Sequence, residues 1–421
     1  MKLQIITRGS VREGLGHLLR TRTFAKSATP AHQVEVVAIV EPELENVLGE
    51  LKCPVRFVRE DAGVVPFIQD AAPDALVFDT TRLAPEVFAA VSASARLTAS
   101  ISPVFEHLAA VDMLFTRNAR FTPLPNVQIF GGLRYAIFND HCGIIDAATH
   151  DRALARPDLP IAIAMGGSDA ANKTLAVLRA LAAMPEPTTI WVLLGEGYAH
   201  SYEALVDVVR GDQRHEIILA KASRSMWQVM SNCALAVLAG GLTTVEAIHA
   251  GLPTINLFER PEHHAMLDEL FEQGICLNGG LFSEESLTTM VETLRRLNHN
   301  RDELRAIRRR TRGLTDRRGA HRVLEEIERW LAREDGAEWI GEVEVPLTPA
   351  LSPSAAAREK RPAPSKMTKR NERSKHTGLV NQRRAPLPLP RRGGEGRGEG
   401  ATPVANLNAE LESLLPEAVH A

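Results

Sequence analysis

The chain has 421 residues, 44% hydrophobic and 24% charged, which is material for the cores of two or three soluble domains. A formal net charge of −3 and an aromatic content of 5% argue against a surface built for nucleic-acid contacts or base stacking. Cys53, Cys142, Cys233 and Cys276 stand far apart without a C-x-x-C pair, which disfavours a structural zinc site or a disulfide framework.

The start, MKLQIITRGS, lacks a signal-peptide core, and no run is long enough to span a bilayer. The expectation is a cytoplasmic protein without stable membrane insertion. Strands are predicted at Leu3–Thr7, Val34–Val40, Val55–Val58, Ala75–Asp79 and Leu97–Ile101. After a less regular connection they continue at Ile161–Met165, Thr189–Leu194, Glu216–Leu219, Ala234–Leu238, Thr254–Phe258 and Ile275–Leu277. Helical periods lie between them, as in Lys173–Met184 and His263–Gln273. Continuous apolar strands alternating with helices form parallel sheets covered on both faces. Eleven strands divide better between two sheets than one, with a split in 131–158 around Pro157 and Pro160. The expected fold is α/β, with Rossmann-like doubly wound domains over 1–150 and 151–335. The helical stretch Ser283–Arg333 is expected to close the second.

Ligands of such sheets sit at the carboxyl ends of strands, where Gly-rich turns start helices. The first such turn, RGSVREGLGH, runs from Arg8 to His17. Its glycines let the backbone approach a ligand, and His17 falls in the first helical turn. A neutral histidine beside a bound phosphate or sugar is suited to general-base work; a flexible loop with a packed histidine is the alternative. The second turn is GGSDAANKT from Gly166, without Walker spacing, in which Ser168 or Asp169 also fits a plain helix cap. The third is AGGLTTVE from Ala239. Thr243 and Glu246 there fit a capping box. They also fit a diphosphate on Gly241–Thr244, with Glu246 accepting from two ribose hydroxyls.

From Gly341 to Ala421 there are 13 Lys/Arg, 9 Asp/Glu and 10 of the 25 prolines, against 36 Lys/Arg and 43 Asp/Glu in 1–340. Residues 336–421 are read as a disordered low-complexity tail with one short amphipathic stretch, Leu407–Leu415. Codons for Pro346–Ala355 can each be the reverse complement of codons for Arg391–Gly400 taken backwards, over ten positions. Residues 346–400 are therefore read as a translated inverted-repeat DNA element.

In combination the motifs resemble the GT-B nucleotide-sugar superfamily, and most of all the nucleotide-sugar hydrolase family of pseudaminic acid biosynthesis. Gly14-Leu15-Gly16-His17-Leu18-Leu19-Arg20 matches its G-x-G-H-x-x-R. Gly166-Gly167-Ser168-Asp169 with Asn172 matches G-G-[ST]-D-x-x-N. Gly240-Gly241, Thr243 and Glu246, followed by Gly251–Pro253, match G-G-x-T-x-x-E and G-x-P. Gly132–Ile137 matches an interdomain G-x-x-Y-A-[IL], and Asp316, Gly319, Ala320 and Arg322 match a terminal D-x-x-G-A-x-R. The likeness covers roughly 1–333 and extends more distantly to the peptidoglycan lipid-linked N-acetylglucosaminyltransferase.

The resemblance implies a two-domain GT-B enzyme with a UDP-sugar in the interdomain cleft and no metal or other cofactor. His17 would activate water against the anomeric carbon, with UDP as leaving group. Asp79 would orient His17 or bind a sugar hydroxyl, unless it merely caps a turn. Gly14, Gly16 and Arg20 would contact the substrate. Gly166, Gly167, Ser168, Asp169, Asn172, Gly240, Gly241, Leu242, Thr243, Thr244 and Glu246 would hold the nucleotide. The expected partner is a UDP-sugar, not nucleic acid, and the expected state a monomer.

The alternatives are a glycosyltransferase with a small or lipid-linked acceptor and a non-catalytic nucleotide-sugar-binding protein. A membrane-associated transferase would use an apolar patch, to which Phe105, Leu108, Met113 and Leu114 could contribute, though most of them are expected in the core. The chain departs from the hydrolase pattern at Ser102-Pro103, where an acidic pair is usual. It departs again at Glu262-His263-His264, where an Asn-Gln pair is usual. His263 and His264 are expected at the cleft rim.

Overall fold

A computed structural model describes residues 1–10, 13–139, 141–222 and 226–333. The expectations for 336–421, the inverted repeat among them, lie outside the described residues.

The first sheet comprises β1 (Lys2–Gly9), β2 (Gln33–Val40), β3 (Val55–Val58), β4 (Ala75–Asp79), β5 (Leu97–Ser100), β6 (Met113–Thr116) and β7 (Gln128–Gly131). The second comprises β8 (Ile161–Ala164), β9 (Thr189–Leu194), β10 (Glu216–Lys221), β11 (Leu235–Leu238), β12 (Thr254–Phe258) and β13 (Leu277–Leu281). Their orders are β3-β2-β1-β4-β5-β6-β7 and β10-β9-β8-β11-β12-β13, and every neighbouring pair is parallel. These are two Rossmann-like domains. The strand order reverses between β1 and β4 in one sheet and between β8 and β11 in the other, and such switch points open the crevices that hold ligands.

The first sheet shows why its strands read as continuous apolar runs. Leu3, Ile5, Val36, Ala38 and Val77 face one core cluster, while Ile6, Val37, Ile39, Leu76 and Phe78 face the other. Both faces are covered, so residues of both parities are apolar. Helix Gly16–Ala28 supplies Leu18, Phe24, Ala25 and Ala28 to the first cluster; Ile68, Val87, Phe88 and Val91 fill the second.

Two expectations are corrected. The connection after β5 holds two further strands, β6 and β7, so the sheets share thirteen strands rather than eleven. The helix Gly319–Leu331 does not close the second domain. Its Ala320, Val323, Leu324 and Ile327 form one apolar stripe that completes the first domain's core, beside Leu18 and Phe24. Gly319 makes that crossing possible, because a Cβ there would sit 2.0 Å from the Ala136 carbonyl oxygen. As expected for most of them, Phe105, Met113 and Leu114 are buried in the first domain; Leu108 is half-buried, and the four form no exposed apolar patch. No described helix is long and apolar enough to cross a membrane.

Candidate functional site

The turn after β1 is closed by a bond from the Gly14 N–H to the Ser10 carbonyl, 2.9 Å, with Gly14 at φ +89°. Helix Gly16–Ala28 then begins, and no side chain caps its start. His17 and Arg20, one turn apart, both point at Asp79, the last residue of β4. His17 Nδ1 lies 2.7 Å from Asp79 Oδ1. Arg20 Nε donates to both carboxylate oxygens at 3.1 Å, its Nη2 donates to Oδ1, and Thr21 Oγ1 donates to Oδ2 at 3.0 Å. Asp79 is fully buried. Burial alone would push its carboxyl up, but the Arg20 charge and the His17 hydrogen bond outweigh it and hold it at about 2.

A carboxylate only accepts, so Nδ1 of His17 carries a proton, and the neutral ring has its lone pair on Nε2. The 3.0 Å between Arg20 Nη2 and His17 Nδ1 is the crowding of two donors onto one oxygen. Asp79 is thus no turn cap, and Arg20, expected against substrate, is engaged with Asp79.

In the second domain the turn after β8 has Gly166 at φ +99° and Asp169 at φ +45°. Asp169 accepts from the Lys173 N–H at 2.9 Å and the Thr174 N–H at 2.8 Å, which is the capping role at helix Lys173–Ala182. Burial raises its pKa against those bonds. Asn172 accepts from the Tyr198 hydroxyl at 2.9 Å. Both side chains are therefore occupied in shaping the turn, in which Gly166 is exposed and Ser168 buried. A Cβ at Gly195 would stand 2.2 Å from the Gly167 carbonyl oxygen, and the Gly197 N–H donates to that oxygen at 2.8 Å. The run Gly195-Glu196-Gly197 was not among the expected site residues, although two glycines directly after a strand are the signal for such a close approach.

The turn after β11 corrects the capping-box expectation. Helix Leu242–Ala250 begins one residue before Thr243, with Gly241 as N-cap and no side-chain cap. Thr243 lies inside the helix. Thr244 is buried and donates to Asn256 on β12 at 2.6 Å. Glu246 accepts from the Asn139 N–H at 3.2 Å and is 5% exposed. Burial pushes its carboxyl up to about 7, with the Asn139 and Trp227 hydrogen bonds opposing. Gly240, at φ +68°, sits against the Phe258 ring, where a Cβ would come within 2.0 Å.

The switch points face each other. Gly167 carries no side chain because Leu15 fills the space, with its Cγ 3.0 Å from where a Cβ would be. A Cβ on Gly14 would lie 3.8 Å from Ser168 Oγ. Arg117, directly after β6, donates to the carbonyls of Gly240 and Gly241 at 3.2 Å each. Arg117 was missed because β6 was missed. His263 is half-buried, with Nε2 3.1 Å from Arg260 Nη2. Burial lowers its pKa to about 4, helped by the Arg260 and Arg117 charges and opposed by Glu262. His264 bridges Asp268 at 3.2 Å and Asn278 at 3.1 Å. The described site therefore brings together the expected groups of both domains, with Glu246 turned inward behind the third turn.

No protein-family model matches the chain. It is 22% identical over 289 residues to the uncharacterized protein MJ1062 of Methanocaldococcus jannaschii, covering 65% of this chain and 59% of that one. It is 25% identical over 198 residues to the spore coat polysaccharide biosynthesis protein SpsG of Bacillus subtilis, covering 47% of this chain and 57% of that one. The chain thus spans less than two thirds of the length of either curated relative. Acinetobacter baumannii MurG superposes with a TM-score of 0.54 at 17% identity, over 78% of this chain and all of that one. Anabaena Alr3699/HepE, in complex with UDP and glucose, superposes with a TM-score of 0.54 at 13% identity, over 78% and 99%. At these identities the structural likeness establishes the GT-B fold.

Proposed function

We propose that this protein is a glycosyltransferase of the GT-B type, moving a sugar from a UDP-sugar to an acceptor hydroxyl in polysaccharide or surface-sugar assembly. One observation carries the reading. A histidine with a free Nε2, fixed by a buried carboxylate, stands at the switch point of one sheet, opposite two glycine-opened turns at the switch point of the other. UDP as the nucleotide rests on HepE, whose structure holds it, and the polysaccharide context rests on SpsG.

In this mechanism His17 Nε2 takes the proton of the acceptor hydroxyl as its oxygen attacks the anomeric carbon. The bond from that carbon to the diphosphate oxygen breaks, and its electron pair leaves with UDP. Asp79 holds the ring and stabilises the imidazolium that forms. The N–H groups at the start of helix Leu242–Ala250 and of the Gly166–Ser168 turn receive the developing charge. Glu246 would exchange the Asn139 N–H for ribose hydroxyls.

Hydrolysis, with water in place of the acceptor, is the second reading. It is favoured by the G-L-G-H-L-L-R run, which matches the hydrolase pattern at every fixed position. Incubating the full chain with UDP-, CDP- and GDP-sugars and following nucleotide and free sugar by NMR separates the two. UDP-sugar binding with no free sugar released until an acceptor is added supports transfer. Free sugar released at a steady rate without acceptor supports hydrolysis. Binding of no nucleotide sugar sinks both.

A further inference from the structure

Arg117 is a cation held where the described residues give it no anion. It follows β6 at that strand's carboxyl end and reaches across to the other domain's third turn, donating to the Gly241 carbonyl through Nη1 and to the Gly240 carbonyl through Nη2. Both distances are 3.2 Å, the long end of the N–H···O range, and both acceptors are neutral. Its Nε is buried and has no acceptor among the described residues. No described carboxylate acts on its charge. Burial lowers its pKa to about 10, the Arg20 charge adds to this, and only the Cys276 thiol opposes. Arg20 differs in being compensated by Asp79.

A buried, unsatisfied donor beside a second cation is costly unless a ligand completes it. The turn it reaches is open on one side. Gly241 is the N-cap of a nine-residue helix with no side chain on its first N–H groups, and nothing stands within 4 Å of where a Gly241 Cβ would be. A guanidinium from one domain and a bare helix start from the other thus meet at Gly241, beside open space. Their shared chemistry is that of an anion with several acceptor oxygens.

We propose that Arg117 is a diphosphate ligand, which trades the Gly240 and Gly241 carbonyls for phosphate oxygens of a nucleoside diphosphate seated on the start of helix Leu242–Ala250. This rests on the nucleotide-sugar reading of the site. Arg117 then clamps the leaving group from the first domain while the helix start holds it from the second. The negative charge released when the anomeric bond breaks falls between them.

The test is calorimetric titration of the full chain, its R117Q variant and its R117K variant with uridine, UDP and inorganic pyrophosphate. R117Q is expected to lose about 10- to 100-fold in affinity for UDP and pyrophosphate, the loss of charge-assisted hydrogen bonds, and to hold uridine within twofold. R117K, which keeps the charge but not the fork, should fall between for UDP. UDP bound by R117Q within twofold of the parent overturns the proposal. So does an equal loss for uridine and UDP, which would make Arg117 only a brace for the turn. If the parent binds neither uridine nor UDP, it is the nucleotide reading that fails. Pyrophosphate, which needs no base pocket, then still decides Arg117. Tighter binding by the parent than by R117Q supports it, and no binding or equal binding overturns it. Should R117Q not fold, R117K carries the same comparison, with weaker UDP and unchanged uridine expected.

Discussion

His17 and Asp79 come from opposite sides of the first sheet's switch point and meet with Nδ1 2.7 Å from Oδ1. The carboxylate also takes Arg20 and Thr21, so one buried side chain sets the ring's tautomer and neutralises a neighbouring guanidinium. Removing it has two separable consequences. Asp79→Asn should lower turnover by about 10²-fold or more, because Nδ1 loses the acceptor that orients it. A steady-state rate measurement checks this.

The second consequence is a pH dependence of stability. Asp79 titrates at about 2 in the folded chain against an ordinary 3.8. The unfolded chain binds the proton more tightly, so the group stabilises the fold above about pH 4, by about 2 kcal/mol, and the contribution is lost as pH falls through 2. Urea unfolding of the parent and Asp79→Asn should show a gap that is constant from pH 5 to 7 and narrows below pH 4. A gap unchanged at about pH 3 would contradict the buried ion pair.

Glu246 has the opposite sign. Its folded value of about 7 lies above the ordinary 4.5. Between these values the folded chain keeps a proton that the unfolded chain has released. Stability therefore falls as pH rises through this window, by about 3 kcal/mol in all. Glu246→Gln should flatten that slope. If the ionised form accepts from ribose hydroxyls, UDP binding near pH 6 should also release a proton. Titrations in buffers of different ionisation enthalpy would detect it, and Glu246→Gln should abolish it. Glu246→Ala should weaken UDP about 10- to 150-fold.

Gly240→Ala should destabilise the fold by at least about 2 kcal/mol, from left-handed backbone strain and overpacking together. The Cβ would enter the Phe258 ring at 2.0 Å and the residue would stay at φ +68°. Thermal unfolding measures this. Gly16→Ala serves as a contrast, since nothing lies within 4 Å of its Cβ position and its Tm should change little.

Much of the fold was legible because the parallel strands are apolar on both faces, as in β2 and β4, and because glycine turns mark their carboxyl ends. β6 and β7 were not. Each has four residues, and Thr122-Pro123-Leu124-Pro125 between them reads as loop. With β6 went Arg117, whose place depends on knowing that a strand ends at Thr116. The helix Gly319–Leu331 was legible as an amphipathic helix, but its stripe of Ala320, Val323, Leu324 and Ile327 says nothing of which core it fills. At Thr243 the spacing to Glu246 imitates a capping box, while the helix starts on Gly241 and turns Glu246 inward to Asn139. Local pattern and tertiary packing disagree there, and packing decides.

The proposed mechanism turns on His17 as the base. The most direct measurement is the turnover of UDP-sugar by His17→Asn, with UDP affinity measured on the same sample. The rate should fall by about 10²- to 10⁴-fold while UDP affinity stays within a few-fold, since His17 makes none of the proposed nucleotide contacts. Turnover at the parent rate would remove His17 from the mechanism, and loss of UDP binding in place of rate would make it a phosphate ligand instead.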